Sequence, residues 1–326
     1  MRMISYAWNR EDVLLRRAFR NETSGFYVDV GAGDPEGGSL TKHFYDRGWR
    51  GINVEPSRLH FERLCIERDR DINLNIAISD RIDDMTFYEC SPPAFSGLST
   101  LDREQAMQHR ANGISVNELL IEVDTLSRIF ERHVDGTIDF LSVDVEGWEH
   151  HVLKGNDWER WRPRVVVAEA TKPNTTIPSH QAWEQVLIDV DYEFANFDGL
   201  NRFYVRAEDS QLRVHFNTPV NVFDDFEPFE YARQIRELQA KAQSLEDEVG
   251  KVRDMRDGAA QYALSLEGEV GKLRAMRDEA ARYALSLEEE LERIRSSQGE
   301  PISSREGSKR GPGRRFDFLS RWSWKN

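Results

Sequence analysis

Residues 28–39 decide the fold, and they read Val28-Asp-Val-Gly-Ala-Gly-Asp-Pro-Glu-Gly-Gly-Ser39. An apolar strand over residues 26–30 ends in this glycine-rich turn, and the next apolar strand ends in an acid, Glu55. Gly31 and Gly33 permit a backbone with positive φ and the close approach of a ligand. A carboxylate after the second strand is placed to bind two ribose hydroxyls. The stretch therefore predicts a nucleoside-containing cofactor on a Rossmann-like, doubly wound, mostly parallel α/β sheet.

Two cofactor classes fit this arrangement, dinucleotides and S-adenosyl-L-methionine. The dinucleotide fingerprint G-x-G-x-x-G requires a third glycine, but its position holds Glu36. Asp29 and Asp34 add further negative charge around the turn, which disfavours a pyrophosphate and favours a sulfonium cation with an ammonium group. The turn thus favours S-adenosylmethionine, while a dinucleotide and a turn without any ligand stay open as alternatives.

Three more apolar runs, residues 73–78, 137–143 and 164–168, are typical of parallel strands buried on both faces. An acid follows each of them: Asp80, Asp144 and Glu169. Ligands of such sheets bind beyond the carboxyl ends of the strands, so we expect these acids to surround one site. Any single one of them is also explained as a helix N-cap.

Five stretches together resemble the FkbM-type S-adenosylmethionine-dependent methyltransferases. They are residues 26–35, 45–56, 77–80, 138–149 with 152–155, and 197–204. The most specific strings are Asp-Val-Glu-Gly at 144–147 and Gly-Trp-Arg-Gly-Ile-Asn-Val-Glu-Pro at 48–56. The resemblance covers about residues 20–228 and implies O-methylation, often of sugar hydroxyls, here on a glycan or glycolipid acceptor.

The candidate site residues follow from the strand ends and the resemblance. We assign cofactor binding to Asp29, Gly31, Gly33, Glu55, Ser79 and Asp80, and catalysis to Asp144, Glu146 and Glu169. Within these sets the two glycines cradle the methionine moiety, Glu55 binds the ribose and Asp80 the adenine amino group. One of the three catalytic acids acts as the base that removes the acceptor's hydroxyl proton. Residues 91–116 form a lid over the acceptor. Asp144 and Glu169 suit Mg²⁺, but the spacing supplies no third ligand, so no metal site is predicted.

The composition excludes several classes of protein. The chain has 326 residues and a formal net charge of −14, and the excess of acid lies in residues 1–228, so we expect no nucleic-acid partner. The two cysteines give no disulfide framework. No run approaches the ~18 apolar residues of a membrane span, and the N-terminus has no apolar leader, so we expect a cytoplasmic protein, peripheral at most on the inner face of the membrane.

The C-terminal part repeats itself with a period of 21 residues, since Ser244–Leu264 recurs as Ser265–Leu285. With Ile235 at position a, apolar side chains occupy most a and d positions through Ile294. Such a pattern predicts a left-handed coiled coil and hence a homo-oligomer through residues 235–294. A single solvated helix or a disordered tether stays the alternative, and the pattern does not separate a dimer from a trimer.

The sequence thus predicts three regions. Residues 1–228 form the methyltransferase domain, residues 229–297 the coiled coil, and residues 298–326 a disordered basic and aromatic tail whose residues 314–326 contact a membrane surface or a partner protein. Two other functions stay open: a catalytically inactive Rossmann-like scaffold assembled through the coiled coil, and a nicotinamide oxidoreductase.

Overall fold

The structure is a computed structural model that describes residues 2–297. The described residues divide into two compact units, one ending at Lys241 and the other beginning at Ala242. The strands are β1 (Met3–Ser5), β2 (Phe26–Val30), β3 (Arg50–Val54), β4 (Ile72–Leu74), β5 (Ala77–Ile78), β6 (Asp83–Ser91), β7 (Ser115–Asp124), β8 (Phe140–Val143), β9 (Val165–Glu169), β10 (Tyr192–Phe197), β11 (Asn201–Arg206) and β12 (Phe226–Pro228). The α-helices are α1 (Glu11–Ala18), α2 (Lys42–Asp46), α3 (Arg58–Glu67), α4 (Arg103–Ala111), α5 (Leu126–His133), α6 (Glu149–Lys154), α7 (Glu184–Ile188) and α8 (Phe229–Ser297).

Seven strands form the main sheet, in the order β10-β11-β9-β8-β2-β3-β4. The five strands from β9 to β4 run parallel, and β11 and β10 extend the sheet antiparallel at one edge. This arrangement confirms the predicted α/β fold with a mostly parallel sheet, followed by a long C-terminal helix.

Both faces of the main sheet are covered, which is why its central strands are apolar at nearly every position. Val28, Leu141 and Val166 point into one core, together with side chains of α5 and α6. Tyr27 and Phe140 point into the other core, together with side chains of α1 and α2. Because the sheet is buried on both faces, its carboxyl edge is the part of the sheet where parallel strands present a ligand site.

The single strand predicted over residues 73–78 is wrong. The structure divides it into β4, which pairs with β3 in the main sheet, and β5, which pairs with β7 in a separate sheet of order β5-β7-β6. The chain turns between them at Asn75, whose side-chain amide donates hydrogen bonds to the carbonyls of Glu55 and Pro56, each at 2.9 Å. Asp80 therefore follows a strand of the smaller sheet rather than of the main one.

The two ends of the first unit are joined by a short parallel pairing of β1 with β12. Helix α8 begins directly after β12, and its first residues Phe229 and Ala232 are buried. The ring of Phe229 packs on Tyr6, with 4.9 Å between the ring centroids. The first turn of α8 is thus part of the first unit.

The second unit is described from Ala242 to Ser297 and is helical throughout that range. Its a and d side chains, such as Leu266, Val270 and Leu273, are exposed to solvent in the single chain. Residues 298–326, and with them the predicted tail, lie outside the described part. Across residues 2–297, none of the helices combines the length and the hydrophobicity of a membrane span.

Candidate active site

A cleft of about 1210 Å³ opens at the carboxyl ends of β2, β3, β8 and β9. Six of the nine predicted site residues line it: Gly31, Gly33, Glu55, Asp144, Glu146 and Glu169. Acids from separate strands therefore meet in one concave site, as the strand-end rule predicts. The volume exceeds the roughly 300–1,000 Å³ of a typical small-molecule pocket, so it has room for more than one ligand.

The glycine-rich turn is packed directly against its neighbours. The backbone N–H groups of Gly31 and Ala32 donate to the carbonyl of Val54 at 3.0 and 3.2 Å, which fixes the end of β2 to the end of β3. Gly31 has φ of +86°, and a Cβ placed on it would lie 1.8 Å from the carbonyl oxygen of Asp144. Only glycine fits there, because any side chain would collide with the backbone after β8.

Glu55 is buried beneath this turn, with 6% of its surface exposed. One carboxylate oxygen accepts from the N–H of Gly33 and the other from the N–H of Ser57, each at 2.7 Å. Burial raises the pKa of Glu55 to about 7, and the two backbone hydrogen bonds act against that rise. Each carboxylate oxygen has a second lone pair, so the group retains acceptor capacity toward hydroxyls in the cleft.

These residues fit S-adenosylmethionine. The glycine turn leaves no side chain between the backbone and the cleft, Glu55 offers oxygens to two hydroxyls, and Ile78 and Phe87 give the cleft an apolar wall for a purine. The carboxyls of Glu36 and Asp144, which also line the cleft, suit a cationic ligand better than a pyrophosphate. No group of three or more side chains arranged to hold a metal ion occurs in residues 2–297, and the expectation of no metal stays a prediction.

Three predicted cofactor residues do not line the cleft. Asp29 is buried within β2 and accepts a hydrogen bond from Thr41 Oγ1 at 3.0 Å. Ser79 is buried and accepts from the indole N–H of Trp148 at 3.3 Å. Asp80 pairs with the ammonium of Lys154 at 3.1 Å. Their geometry supports a positioning role for Asp29 and Ser79, and the adenine contact of Asp80 stays a prediction.

Three acids that line the cleft, Asp144, Glu146 and Glu169, are called the acid floor. Asp144 follows β8 and presents its carboxylate to the cleft, whereas Glu169 is the last residue of β9 and only 5% exposed. One carboxylate oxygen each of Glu146 and Glu169 is buried without a hydrogen-bond partner in the described protein. Unpartnered buried acceptors are uncommon in folded proteins, and they indicate a site for an external donor or a proton.

The pKa values of both glutamates of the acid floor are raised above the ordinary range. Burial is the largest cause for Glu146 and for Glu169, and the charge of Asp144 adds repulsion to both. Because three carboxyls crowd one site, we expect them to titrate as a coupled set in which a proton is retained near neutral pH.

Glu149, which the sequence did not predict as a site residue, accepts hydrogen bonds from the backbone on both sides of Glu146. Its carboxylate accepts from the N–H of Val145 at 3.3 Å and of Gly147 at 3.1 Å, and burial raises its pKa to about 7. Glu146 itself has φ of +53°, a strained value for a residue with a side chain. Glu149 is the last residue of the Asp-Val-Glu-Gly-Trp-Glu string at 144–149. Its spacing alone does not distinguish a carboxylate that accepts from the backbone of a turn from one that faces a ligand.

The segment predicted as a lid, residues 91–116, contains a 3₁₀ helix at Pro93–Leu98 and helix α4. Its residues 93–101 line the cleft. The hydroxyl of Ser96 lies 2.7 Å from Nε2 of His60, and Thr100 Oγ1 donates to the carbonyl of Glu146 at 2.9 Å. The segment is thus tied both to α3 and to the acid floor, and its action as a lid stays a prediction.

Two basic residues of α3, His60 and Arg63, also line the cleft and were missed by the sequence analysis. Arg63 forms ion pairs with Asp34 and, at 2.9 Å, with Glu67. It therefore neutralises part of the charge on the glycine turn. The sequence of α3 gave no signal for this role, because basic residues are also normal on a solvated helix face.

Comparisons with known proteins agree with this geometry. The family model described as "Methyltransferase FkbM domain" matches residues 29–194, which is half of the chain. No curated protein matches the chain by sequence similarity.

Two solved structures resemble parts of the chain at low similarity. The fibrillarin/Nop5p complex aligns at 15% identity over 63% of this chain and 92% of that chain, with a TM-score of 0.31. An O-methyltransferase from Bacillus cereus in complex with SAH aligns at 11% identity over 63% and 84%, with a TM-score of 0.30. Similarity at this level carries no argument about the activity of the chain.

Proposed function

The chain belongs to the FkbM methyltransferase family, and we propose that it methylates a sugar hydroxyl of a glycan or glycolipid. Its cofactor is S-adenosylmethionine, which supplies a methyl group on a sulfonium sulfur. The observation that carries the proposal is the acid floor, where two buried carboxyl oxygens lack a partner. A hydroxylated acceptor in the cleft provides hydrogen-bond donors for the carboxyls that line it.

The cofactor end of the cleft positions the nucleoside. We assign the ribose hydroxyls to Glu55, since its carboxylate is held rigid by the N–H groups of Gly33 and Ser57. Gly31 and Gly33 line the adjoining part of the cleft and accommodate the methionine moiety. Rigid placement matters because methyl transfer is an in-line displacement, whose barrier falls when the two reacting atoms are held in line.

The acid floor acts on the acceptor. A carboxyl that keeps its proton can donate a hydrogen bond to one sugar oxygen, while an ionised neighbour accepts the proton of the hydroxyl that is methylated. Asp144, Glu146 and Glu169 together supply both forms, since mutual repulsion prevents all three from ionising at once. General-base assistance of this kind contributes about 10²–10⁴-fold to a rate.

The proposal is tested by incubating the full chain with S-adenosylmethionine and a panel of methyl hexopyranosides. We expect a product heavier by one methylene group that survives mild alkali, since an ether resists the hydrolysis that cleaves a methyl ester. Methylation of amine acceptors in place of the pyranosides would contradict the proposal, as would the absence of transfer to any sugar.

We also propose that the chain forms a homo-oligomer through residues 235–294. The support is the apolar a and d series, which is exposed along the second unit and would be covered by a second copy. This stripe is also what favours the alternative function, an inactive scaffold assembled through the same helix. The suggested membrane or protein contact of residues 314–326, and a peripheral location, stay predictions.

A pair of matched double variants tests the oligomer. Leu266→Asp with Leu273→Asp places two charges on the seam and should lower the mass measured by sedimentation equilibrium. Gln261→Asp with Ala275→Asp places two charges on the opposite side of the same helix and should leave the mass unchanged. Equal masses for both double variants would refute assembly through the a and d stripe.

A further inference from the structure

Trp8 stands at the rim of the cleft, between β1 and α1. Its side chain lines the cleft while 71% of its surface is exposed, a high fraction for the largest apolar side chain. Tryptophan is enriched at binding interfaces, because its ring combines a large apolar face with a polar N–H. The roles assigned to the acid floor and to Gly31 and Gly33 do not involve this ring.

The position of the indole is fixed by the backbone beneath it. A Cβ placed on Gly38 would lie 2.2 Å from Nε1 of Trp8, so the ring packs directly on that glycine. Ala7 forms a bridge with Gly38, and the N–H of Gly38 donates to the carbonyl of Tyr6 at 3.0 Å. The backbone at Gly38 therefore fixes the position of the ring, next to the turn that contains Gly31 and Gly33.

The wall around Trp8 combines Gly38, which the family model matches, with residues that lie outside the matched range. Phe229 and Arg233 of the first turns of α8 line the same cleft, and the pairing of β1 with β12 brings them to the N-terminal segment. Trp8, Phe229 and Arg233 therefore come from both ends of the first unit, at a position that suits contact with the acceptor.

We propose that Trp8 is a stacking platform for a sugar ring of the methyl acceptor. The inference rests on the proposed function and names the surface that holds the ring. A pyranose has an apolar face of C–H groups and an edge of hydroxyls. The negative face of an indole attracts the C–H groups, while the hydroxyl edge remains free to bond with carboxyls of the acid floor. The volume of the cleft leaves room for this ring beside the cofactor.

Binding is measured by saturation-transfer NMR on the full chain loaded with S-adenosylhomocysteine, with methyl hexopyranosides as probes and sorbitol as an acyclic polyol without a ring face. Trp8→Ala should weaken pyranoside binding about tenfold, Trp8→Phe should retain most of it, and sorbitol binding should not respond. The control is Phe223→Ala, which removes an aromatic ring that is 93% exposed and does not line the cleft.

Each outcome decides the inference. Equal pyranoside affinity of Trp8→Ala and wild type, or no pyranoside binding to wild type, would overturn it. A loss of S-adenosylhomocysteine affinity in Trp8→Ala equal to the loss of pyranoside affinity would also overturn it, since the ring would then contact the cofactor. Tryptophan-dependent pyranoside binding without methyl transfer would support the platform and contradict the proposed function.

Discussion

Replacing Glu169 with glutamine should stabilise the protein at neutral pH. Glu169 is buried at the end of β9, and burial together with the charge of Asp144 raises its pKa above the ordinary 4.5. A carboxyl with a raised pKa in the folded state favours folding most below the pKa of the unfolded chain, and this contribution is lost as the pH rises. Between the pKa of the unfolded chain and the raised pKa of the folded state, each pH unit lowers the free energy of unfolding by about 1.4 kcal/mol.

Glutamine has nearly the same shape and does not titrate, so the variant lacks this loss. Two pH units above the unfolded pKa, the variant should therefore be more stable than wild type by about 2–3 kcal/mol, while below that pKa the two should be alike. Urea unfolding of both proteins across this pH range measures the difference. Glu159→Gln, at an exposed position, is the matched control and should follow wild type at every pH.

The same variant should lose methyl transfer by about 10²–10⁴-fold if Glu169 is the base, and by less if it only donates a hydrogen bond from its protonated form. In wild type, kcat/KM should rise with pH as the acid floor loses its first proton at a pH above the ordinary glutamate range. Parallel stability curves for wild type and Glu169→Gln would refute the raised pKa and with it the mechanism.

Two further substitutions test the cofactor end of the cleft. Glu55→Gln should weaken S-adenosylhomocysteine binding by about 10–100-fold in calorimetry, because a charge-assisted hydrogen bond contributes roughly 1.5–3 kcal/mol. The control Glu62→Gln, on the exposed side of α3, should have no effect. Equal affinities of Glu55→Gln and wild type would show that Glu55 does not bind the ribose. Gly31→Ala should destabilise the fold well beyond Gly48→Ala, since both have positive φ but only the Cβ at position 31 meets the carbonyl of Asp144, at 1.8 Å. Similar melting temperatures for the two glycine variants would show that the turn is not packed as described.

The central sheet and most of its acids were predictable because both depend on local pattern. Strands buried on both faces are apolar without alternation, as in β8 and β9, and the acids that follow them meet at one edge by the geometry of parallel sheets. That rule placed Asp144 and Glu169 in the cleft. Asp80 follows β5 of the smaller sheet, after a turn at Asn75 whose side-chain amide donates to the carbonyls of Glu55 and Pro56, and that change of sheet has no signal in the local pattern.

The remaining features depend on contacts between distant residues. The strands β1 and β12 each span three residues, too short for any periodicity, yet their pairing forms the wall with Trp8 and Arg233. That the side chain of Asp29 is buried within the sheet, away from the cleft, could not be predicted either. A polar residue within an apolar strand is satisfied inside the sheet when a partner exists, and its partner Thr41 belongs to the loop before α2.

The most direct test of the account is a calorimetric titration of the full chain with S-adenosylhomocysteine and, separately, with NADH. We expect S-adenosylhomocysteine to bind with one site per chain and micromolar affinity, and NADH not to bind. Binding of NADH alone would contradict the assignment of the cleft and favour an oxidoreductase. Binding of neither would contradict the methyltransferase and favour the scaffold.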